Sequence, residues 1–315
     1  MGIRLYAMTC GWLTGELGRL MEGGEGEVEL PIPSYLIEHP KGTALFDTGL
    51  HPACQHDPAA RVGPRLGSLF RFNYHPGEEV SARLAGLGRD PARIDLIITS
   101  HLHFDHVGGN ALIPNATVIV QRREWEAGMN PDIAAQRGFD PQDYDLGHKV
   151  LEVDGEYDVF GDGSVVCLPT YGHTPGHQSL KLRLPTGEIV LAADACYFCR
   201  TLNERRLPKY VHDRAAMHTS LDRLAQLKAG GARIFFGHDP TSGERCRRRP
   251  RQLPSEGFWQ SAFWLVRRRP APCAARQARS PGSRLYCTLP LCRTQSSKPL
   301  PRHRRRGNPR SRGSS

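Results

Sequence analysis

The stretch that decides the fold is Asp95-Leu-Ile-Ile-Thr-Ser-His-Leu-His-Phe-Asp-His-Val-Gly-Gly109. Its first half is apolar around Ile97 and Ile98, which indicates a short buried strand. The next six residues, 101–106, hold four side chains that could bind a metal, and the Gly pair lets the backbone turn tightly. Imidazole and carboxylate groups suit zinc and similar divalent ions. The spacing predicts a loop at the end of a strand that directs two His to one ion and Asp-His to a second.

The pattern His-x-His-x-Asp-His resembles the signature of the metallo-β-lactamase superfamily. The other expected ligands follow in family order, at His173 in Gly-His-Thr-Pro-Gly-His, Asp194 after Leu-Ala-Ala, and His238 in Phe-Phe-Gly-His-Asp. The resemblance covers about residues 2–240 and implies two Zn²⁺, or other divalent transition metals, as cofactors. One ion would be held by His101, His103 and His173, the second by Asp105, His106 and His238, with Asp194 bridging them.

This resemblance also implies a reaction. A hydroxide between the two ions would attack a carbonyl carbon, while the second ion polarises the carbonyl and holds the developing alkoxide. Asp105 would take part in proton transfer to the leaving oxygen. The family has an Asp near the position of Asp47 that supports the metal loop, so Asp47 is expected to orient a ligand. An ordinary turn Asp is the alternative.

The substrate is indicated by Tyr197, three residues after Asp194. The contexts His-Leu-His-Phe-Asp-His-x-Gly-Gly, Asp-Ala-x-Tyr and Phe-Phe-Gly-His-Asp resemble the N-acyl-homoserine lactonases. This resemblance implies that Tyr197 binds the substrate carbonyl and that the Phe104 ring lies near the substrate; a hydrogen-bonded tyrosine at the rim is the alternative for Tyr197. The expected activity is hydrolysis of the lactone ring of an N-acyl-homoserine lactone, with that small molecule as the partner.

Three other functions stay open at this point. The same metal site could serve a thioesterase or a glyoxalase II type hydrolase. An RNA-processing nuclease is favoured by the basic C-terminal region but not by the rest of the chain, which lacks the additional domain of such nucleases. A nonenzymatic binding protein that uses metals only for folding is the third. A comparison of lactone turnover with thioester turnover distinguishes a lactonase from the thioesterase or glyoxalase II type hydrolase.

The fold class expected is α/β (α+β), an αββα four-layer sandwich with the metals at one edge of the sheets. Alternating apolar residues predict strands such as 34–38, 43–47, 179–184 and 189–193, and an apolar stripe predicts a helix over 213–229. An order of hairpin, Asp, helix, strand and His occurs twice, once ending at His101 and once at His238. Residues 11–26 are expected to form a mobile loop or short helix. The aromatic stretch 64–76 is expected either to line an apolar acyl pocket or to pack in the core.

Charge divides the chain of 315 residues, whose formal net charge is +10. Residues 241–315 contain 18 Arg, one Lys and two Glu, so residues 1–240 are acidic. We therefore expect a hydrolase domain over 1–240 and an Arg/Pro/Ser-rich, disordered tail over 241–315, since such a tail buries too little apolar surface to fold. A nucleic-acid arm is the functional alternative for the tail.

Compartment and partners follow from the remaining features. Nine Cys form no dense disulfide framework, and Cys196-Tyr-Phe-Cys199 has no thioredoxin-like surroundings for a redox role. The N-terminus has no long apolar segment, and no run approaches the ~18 apolar residues that a membrane span needs. The expectation is a cytoplasmic protein without membrane or nucleic-acid partners for its body, with a homodimer left open. His177, His212 and His218 are expected at surface or helix positions.

Overall fold

The computed structural model describes residues 2–240 and places two β-sheets between helices. The predicted tail, 241–315, lies outside the described residues. The strands are β1 (Arg4–Glu16), β2 (Glu27–His39), β3 (Gly42–Phe46), β4 (Arg71–Asn73), β5 (Leu96–Ile98), β6 (Thr117–Gln121), β7 (Val150–Val153), β8 (Tyr157–Asp158), β9 (Val165–Pro169), β10 (Gln178–Leu184), β11 (Gly187–Leu191) and β12 (Arg233–Phe235). The helices are α1 (Leu17–Leu20), α2 (Pro58–Leu69), α3 (Val80–Gly86), α4 (Phe104–Val107), α5 (Arg122–Met129), α6 (Pro131–Arg137), α7 (Pro141–Tyr144), α8 (Cys199–Glu204) and α9 (Arg214–Ala229).

Each sheet contains a parallel pair of strands whose carboxyl ends point toward the candidate site. The first sheet has the order β4-β1-β2-β3-β5-β6-β7, and β3 and β5 are parallel, with Phe46 opposite Ile98. The second sheet has the order β12-β11-β10-β9-β8, and β11 and β12 are parallel, with Leu191 opposite Phe235. Because the carboxyl ends of parallel strands meet at one edge of a sheet, the residues after these four strands lie near one another.

Apolar side chains from both sheets form the central core, and helices cover the two outer faces. Phe46 and Ile98 of the first sheet pack with Leu180 and Leu191 of the second in one buried cluster. The helix α3 packs on the outer face of the first sheet, and α9 packs on that of the second. This arrangement confirms the predicted αββα sandwich.

The helix expected over 213–229 is present as α9, with Asp213 as its N-cap. The Asp213 carboxylate accepts hydrogen bonds from the N–H groups of Ala215 and Ala216, which would otherwise have no partner in the helix. Met217, Leu221 and Leu224 are buried against the second sheet. The sequence pattern therefore located the helix and its buried face. The helix begins at Arg214, one residue later than predicted, because Asp213 is its N-cap.

The N-terminal region differs from the expectation of a mobile loop or short helix. Residues up to Glu16 continue β1 and pair with β2, with a register shift between Thr9 and Trp12. Gly11 lies at this irregularity with φ +102°, and a Cβ there would come within 2.7 Å of the Tyr74 ring. Glycine thus permits both the bulge and the close approach of the ring. Only the short α1 fits the helical part of the expectation.

The helices of the described residues are short. The longest helix of residues 2–240, α9, has 16 residues. None of the helices in this range combines the length and the apolar character needed to cross a bilayer.

Candidate metal centre

The candidate site lies where the loops that follow the parallel strands meet. The chain after β5 delivers His101 and His103, and the short helix α4 carries Asp105 and His106. The loop between β9 and β10 carries His173, and the segments after β11 and β12 carry Asp194 and His238. All of these side chains are buried except that of His103, which is half-buried. The structure thus brings together all seven residues that the sequence singled out as ligands.

The first group of donors contains three imidazoles and one carboxylate oxygen. The Nδ1 atom of His103 lies 2.9 Å from His101 Nε2 and 3.0 Å from His173 Nε2. The Asp194 Oδ2 atom lies 3.3 Å from His173 Nε2 and 3.8 Å from His101 Nε2. One donor atom from each of the four residues lies within 4.8 Å of the others, so they could hold one metal ion.

The second group contains Asp105, His106 and His238, and its donor atoms also lie within 4.8 Å of one another. The Asp105 Oδ2 atom is 3.7 Å from the Nε2 atoms of both His106 and His238. The Asp194 Oδ1 atom lies 3.3 Å from His106 Nε2 and 3.0 Å from His238 Nε2. Asp194 therefore presents one oxygen to each group, which is the geometry a bridging carboxylate requires.

Four of the five imidazoles are oriented through the ring nitrogen that faces away from the centre. His103 Nε2 donates to the Arg137 carbonyl oxygen at 3.0 Å, and His238 Nδ1 donates to the Pro31 carbonyl oxygen at 2.9 Å. His106 Nδ1 lies 2.8 Å from Asp47 Oδ2, and His101 Nδ1 lies 3.0 Å from Ser100 Oγ. Such partners fix the ring and its tautomer, so that the inner nitrogen keeps a lone pair for a ligand.

Asp47, which the sequence predicts to support the metal loop, lies against that loop. Its side chain is buried, and Oδ1 accepts a hydrogen bond from the Ser100 N–H at 2.7 Å while Oδ2 accepts one from Ser100 Oγ at 2.8 Å. Oδ2 also contacts His106, as described above. The Asp47 backbone has φ 59°, a left-handed conformation that Asp and Asn adopt more readily than bulkier residues. These contacts do not match those of an ordinary turn Asp on the surface.

Burial and carboxylates divide the imidazoles into two electrostatic classes. Burial lowers the pKa of His101 and His173 well below the usual value, which leaves these rings neutral. Burial also acts to lower the pKa of His106, but the nearby carboxylates of Asp194, Asp105 and Asp47 outweigh it and raise the pKa well above the usual value. The concentration of carboxylates around His106 shows that this part of the centre attracts positive charge.

Tyr197 lies beside both ligand groups. Its ring centroid is 5.7 Å from that of His173 and 5.3 Å from that of His238, and its side chain is buried. The His238 N–H donates to the Tyr197 carbonyl oxygen at 3.1 Å, which ties the two segments together. Burial, followed by the Asp194 carboxylate, raises the pKa of the Tyr197 hydroxyl well above its usual value. Tyr197 is thus a buried neighbour of both ligand groups.

An apolar wall adjoins the metal-ligand loop on the side of Phe104. The Phe104 ring lies 6.1 Å from the half-buried Phe72 ring and belongs to a cluster with Tyr197 and Phe198. The partly exposed side chains packed on this cluster include Leu66 and Phe70, while Tyr74 is fully packed and donates its hydroxyl to the Leu50 carbonyl oxygen. The stretch 64–76 therefore contributes both core packing, at Tyr74, and an apolar surface near Phe104.

Two buried polar residues beside the site were not predicted from the sequence. His177, which was expected at the surface, is fully buried: its Nε2 accepts the Asp194 N–H at 3.1 Å, and its Nδ1 lies 3.1 Å from the Thr170 carbonyl oxygen. This expectation was wrong, because the His177 ring is buried against the Asp194 backbone and does not reach the surface. His212 is exposed and His218 half-buried on α9, as expected. The second missed residue, Glu124 on α5, had no signal in the sequence beyond its place in a short polar helix.

The residues present fit a pair of divalent cations. His106 Nε2 and Asp194 Oδ1 are buried and have no hydrogen-bond partner in the described part of the chain, although they face the centre. Buried polar atoms of this kind are costly unless something satisfies them. Five imidazoles and two carboxylates form a donor set that suits zinc and related transition metals.

Comparison with known proteins agrees with this geometry. Residues 28–238 match the family model described as the metallo-beta-lactamase superfamily. The chain belongs to this superfamily.

Its similar relatives include several N-acyl homoserine lactonases. The chain is 35% identical over 257 residues to N-acyl homoserine lactonase AttM of Azorhizobium caulinodans, a match that covers 79% of this chain and 97% of the relative. It is 32% identical over 222 residues to N-acyl homoserine lactonase AiiA of Bacillus thuringiensis subsp. kurstaki, covering 70% of this chain and 86% of the relative. A solved structure of an N-acyl homoserine lactone hydrolase, with the product N-hexanoyl-L-homoserine bound at its catalytic metal center, is 28% identical. That match has a TM-score of 0.69 and covers 78% of this chain and 98% of the other.

Proposed function

We propose that this protein opens the lactone ring of N-acyl-homoserine lactones and that two zinc ions are its cofactors. The observation that carries the proposal is the convergence of the seven ligands around Asp194, whose two oxygens face separate donor groups. The 35% identity to a lactonase over most of both chains supports the substrate class. The His-rich donor set supports zinc over the hard cations Mg²⁺ and Ca²⁺, which prefer oxygen ligands.

Each donor group has a defined part in this proposal. His101, His103 and His173 would hold one ion, Asp105, His106 and His238 would hold the other, and Asp194 would bridge them. A pair of ions held by these residues would lower the pKa of a bound water toward neutrality and would polarise the ester carbonyl. Asp47 keeps the second ring nitrogen of His106 engaged, so that the Nε2 lone pair points to the centre.

Tyr197 and Asp105 would serve the reacting ester directly. A tyrosine hydroxyl is protonated at neutral pH, so the Tyr197 O–H can donate to the carbonyl oxygen as that oxygen gains negative charge. Asp105, with 12% of its side chain exposed against 4% for Asp194, would accept the proton that the attacking water loses and pass it to the ring oxygen that leaves. The product of these steps is the open hydroxy acid.

The apolar wall gives the proposal a site for the acyl chain. Phe72 and Phe104 face each other beside the ligand loop, and burial of an alkyl chain against such rings is favourable by about 25 cal/mol per Å² of apolar surface. The neutral lactone head would lie toward Tyr197 and the chain toward this wall. The wall thus favours an N-acyl lactone over a small polar ester.

Proton release by the zinc-loaded protein tests the proposal. The panel is N-hexanoyl-homoserine lactone, a thioester and a β-lactam, each followed by pH-sensitive dye at matched concentrations. We expect turnover of the lactone to exceed that of the other substrates, and a folded Asp105→Asn variant to lose most of it. Faster turnover of the thioester would refute the lactone assignment, and full activity of Asp105→Asn would refute the role of Asp105.

A further inference from the structure

A carboxylate outside the ligand set joins the two loops that carry the first donor group. We infer that Glu124 of α5 sets the spacing between loop 101–106 and loop 172–177 and is thereby a positioning residue for the ion held by His101, His103 and His173. The inference deepens the proposed function and rests on the ligand assignment made there. It assigns a role to a residue that contributes no donor atom to the centre.

Two hydrogen bonds carry the inference. Glu124 Oε1 accepts the Leu102 N–H at 3.1 Å, and Glu124 Oε2 accepts the Gly176 N–H at 2.7 Å. Leu102 is the residue between His101 and His103, and Gly176 lies three residues after His173. One carboxylate therefore fixes the backbone of both segments from which the three imidazoles project.

The helix α5 approaches these loops so closely that little room remains for adjustment. A Cβ added at Gly176 would lie 2.3 Å from the Glu124 backbone nitrogen. A Cβ added at Gly128, one turn further along α5, would lie 2.4 Å from the Leu102 side chain. These contacts hold the Glu124 backbone in place, so its carboxylate acts as a fixed bridge and not as a mobile side chain.

General stability does not explain a carboxyl group in this position. Glu124 is fully buried, and burial raises its pKa to about 7 even though the Gly176 N–H, the Thr174 hydroxyl and the Leu102 N–H act in the opposite direction. Among residues 2–240 no cation forms an ion pair with it. A buried carboxyl group of this kind is a net cost to folding, and a well-packed apolar side chain would serve stability better. What the carboxylate supplies is a pair of acceptors for two separate loops.

The contacts also make the inference specific to one donor group. The second group has its own supports, since Asp47 contacts His106 and the Pro31 carbonyl oxygen contacts His238. Neither of these supports involves α5. Loss of the Glu124 bridge should therefore weaken the three-imidazole position more than the other one.

Zinc titration of Glu124→Gln tests the inference without any substrate. Glutamine has nearly the same shape, but its NH₂ group must face one of the two N–H donors, so one hydrogen bond is lost. We expect one of the two ions to bind about 10-fold more weakly, the lower end of the effect of outer partners on metal affinity. The titration uses the full chain and a chromophoric chelator, and the visible spectrum of bound Co²⁺ reports the altered ligand geometry.

Tyr144→Phe is the matched control. It removes a buried hydrogen bond of 2.8 Å from the Tyr144 hydroxyl to the Gly128 carbonyl oxygen on the same helix and leaves both hydrogen bonds of the Glu124 carboxylate in place. We expect it to lower the melting temperature while both zinc affinities and the Co²⁺ spectrum stay as in the wild type. Equal zinc affinities in Glu124→Gln and the wild type would overturn the inference. So would an equal loss in both variants, because the effect would then be general destabilisation.

A shorter acid gives a second variant that does not depend on the folding of the first. Glu124→Asp retains the charge but lacks one methylene, so it cannot reach both N–H groups. We expect the same selective zinc loss, together with changed amide resonances for Leu102 and Gly176. Unchanged zinc binding in this variant would equally overturn the inference. Failure of the zinc-loaded wild type to hydrolyse lactones would refute the proposed function and leave this zinc comparison intact.

Discussion

Replacement of Asp47 by Asn tests whether a residue without a donor atom in the centre controls metal binding. The backbone at this position has φ 59°, a conformation that Asn tolerates as well as Asp does, so the substitution adds little strain. The variant changes one oxygen to an NH₂ group and leaves the volume of the side chain nearly unchanged. Any effect can then be attributed to hydrogen bonding at His106 and Ser100.

The size of the effect follows from three contacts. The carboxylate faces the Ser100 N–H at 2.7 Å, Ser100 Oγ at 2.8 Å and His106 Nδ1 at 2.8 Å. In either orientation of the Asn amide, its NH₂ group opposes the Ser100 N–H or the His106 Nδ1–H. His106 can avoid this by moving its proton to Nε2, the atom that would bind the ion. Loss of such a carboxylate partner costs about 10- to 100-fold in metal affinity, which corresponds to about 1.4 to 2.8 kcal/mol.

Competition with a chelator measures this loss for each zinc ion, and Ser34→Ala serves as the control. Ser34 donates to the Asp47 backbone oxygen at 2.8 Å, so its removal disturbs the same residue without touching the carboxylate. We expect weaker binding of one ion in Asp47→Asn and wild-type binding in Ser34→Ala. Wild-type affinity for both ions in a folded Asp47→Asn variant would refute the reasoning.

Four further outcomes are expected. Tyr197→Phe should lower kcat for lactones about 100-fold, the usual effect of losing one oxyanion donor, with zinc content unchanged; an unchanged kcat would exclude its role. Phe72→Ala should raise KM for a decanoyl lactone more than for a hexanoyl lactone. Equal effects on the two KM values would show that the Phe72 ring does not contact the acyl chain. Hydrogen bonds from Ser164 lower the pKa of Asp162 to about 2, so the melting-temperature difference between wild type and Asp162→Asn should be complete above pH ~4 and disappear toward pH ~2; a difference that grew on acidification would contradict this sign. Leu221→Ala should lower the free energy of unfolding by about 2–5 kcal/mol in urea, since the Leu221 side chain is fully buried between α9 and the second sheet. A loss below about 1 kcal/mol would show that neighbouring side chains fill the cavity.

The seven candidate metal ligands could be picked out from the sequence because they occur in short motifs at the ends of apolar strands. The run ending at Ile98 fixed the position of the loop 101–106, and the apolar run 189–193 did the same for Asp194. A residue just after a buried strand has few places to lie, so strand prediction alone places such a side chain at the sheet edge. The helix α9 was predictable for a similar reason, since its apolar stripe and the cap at Asp213 are local features.

The contacts that support the ligands could not be predicted in this way. Glu124 meets Leu102 and Gly176, residues that are 22 and 52 positions away along the chain. A Glu in a short polar helix resembles any solvent-exposed Glu until tertiary packing buries it. His177 was misplaced for the same reason, because its partner is a backbone N–H and leaves no pattern of residue types. The extension of β1 beyond Gly11 likewise depends on pairing with β2.

The repeated order of hairpin, Asp, helix, strand and His has a structural consequence at His106. Asp47, which follows β3 of the first sheet, contacts the Nδ1 atom of this ring, while Asp194, which follows β11 of the second sheet, lies 3.3 Å from its Nε2 atom. One imidazole is thus held between carboxylates from the two halves of the sandwich. Because the core between Phe46 and Leu191 sets the separation of the sheets, it also sets the separation of these two carboxylates. Packing between the sheets therefore determines the geometry of the second donor group, in the same way that α5 determines that of the first.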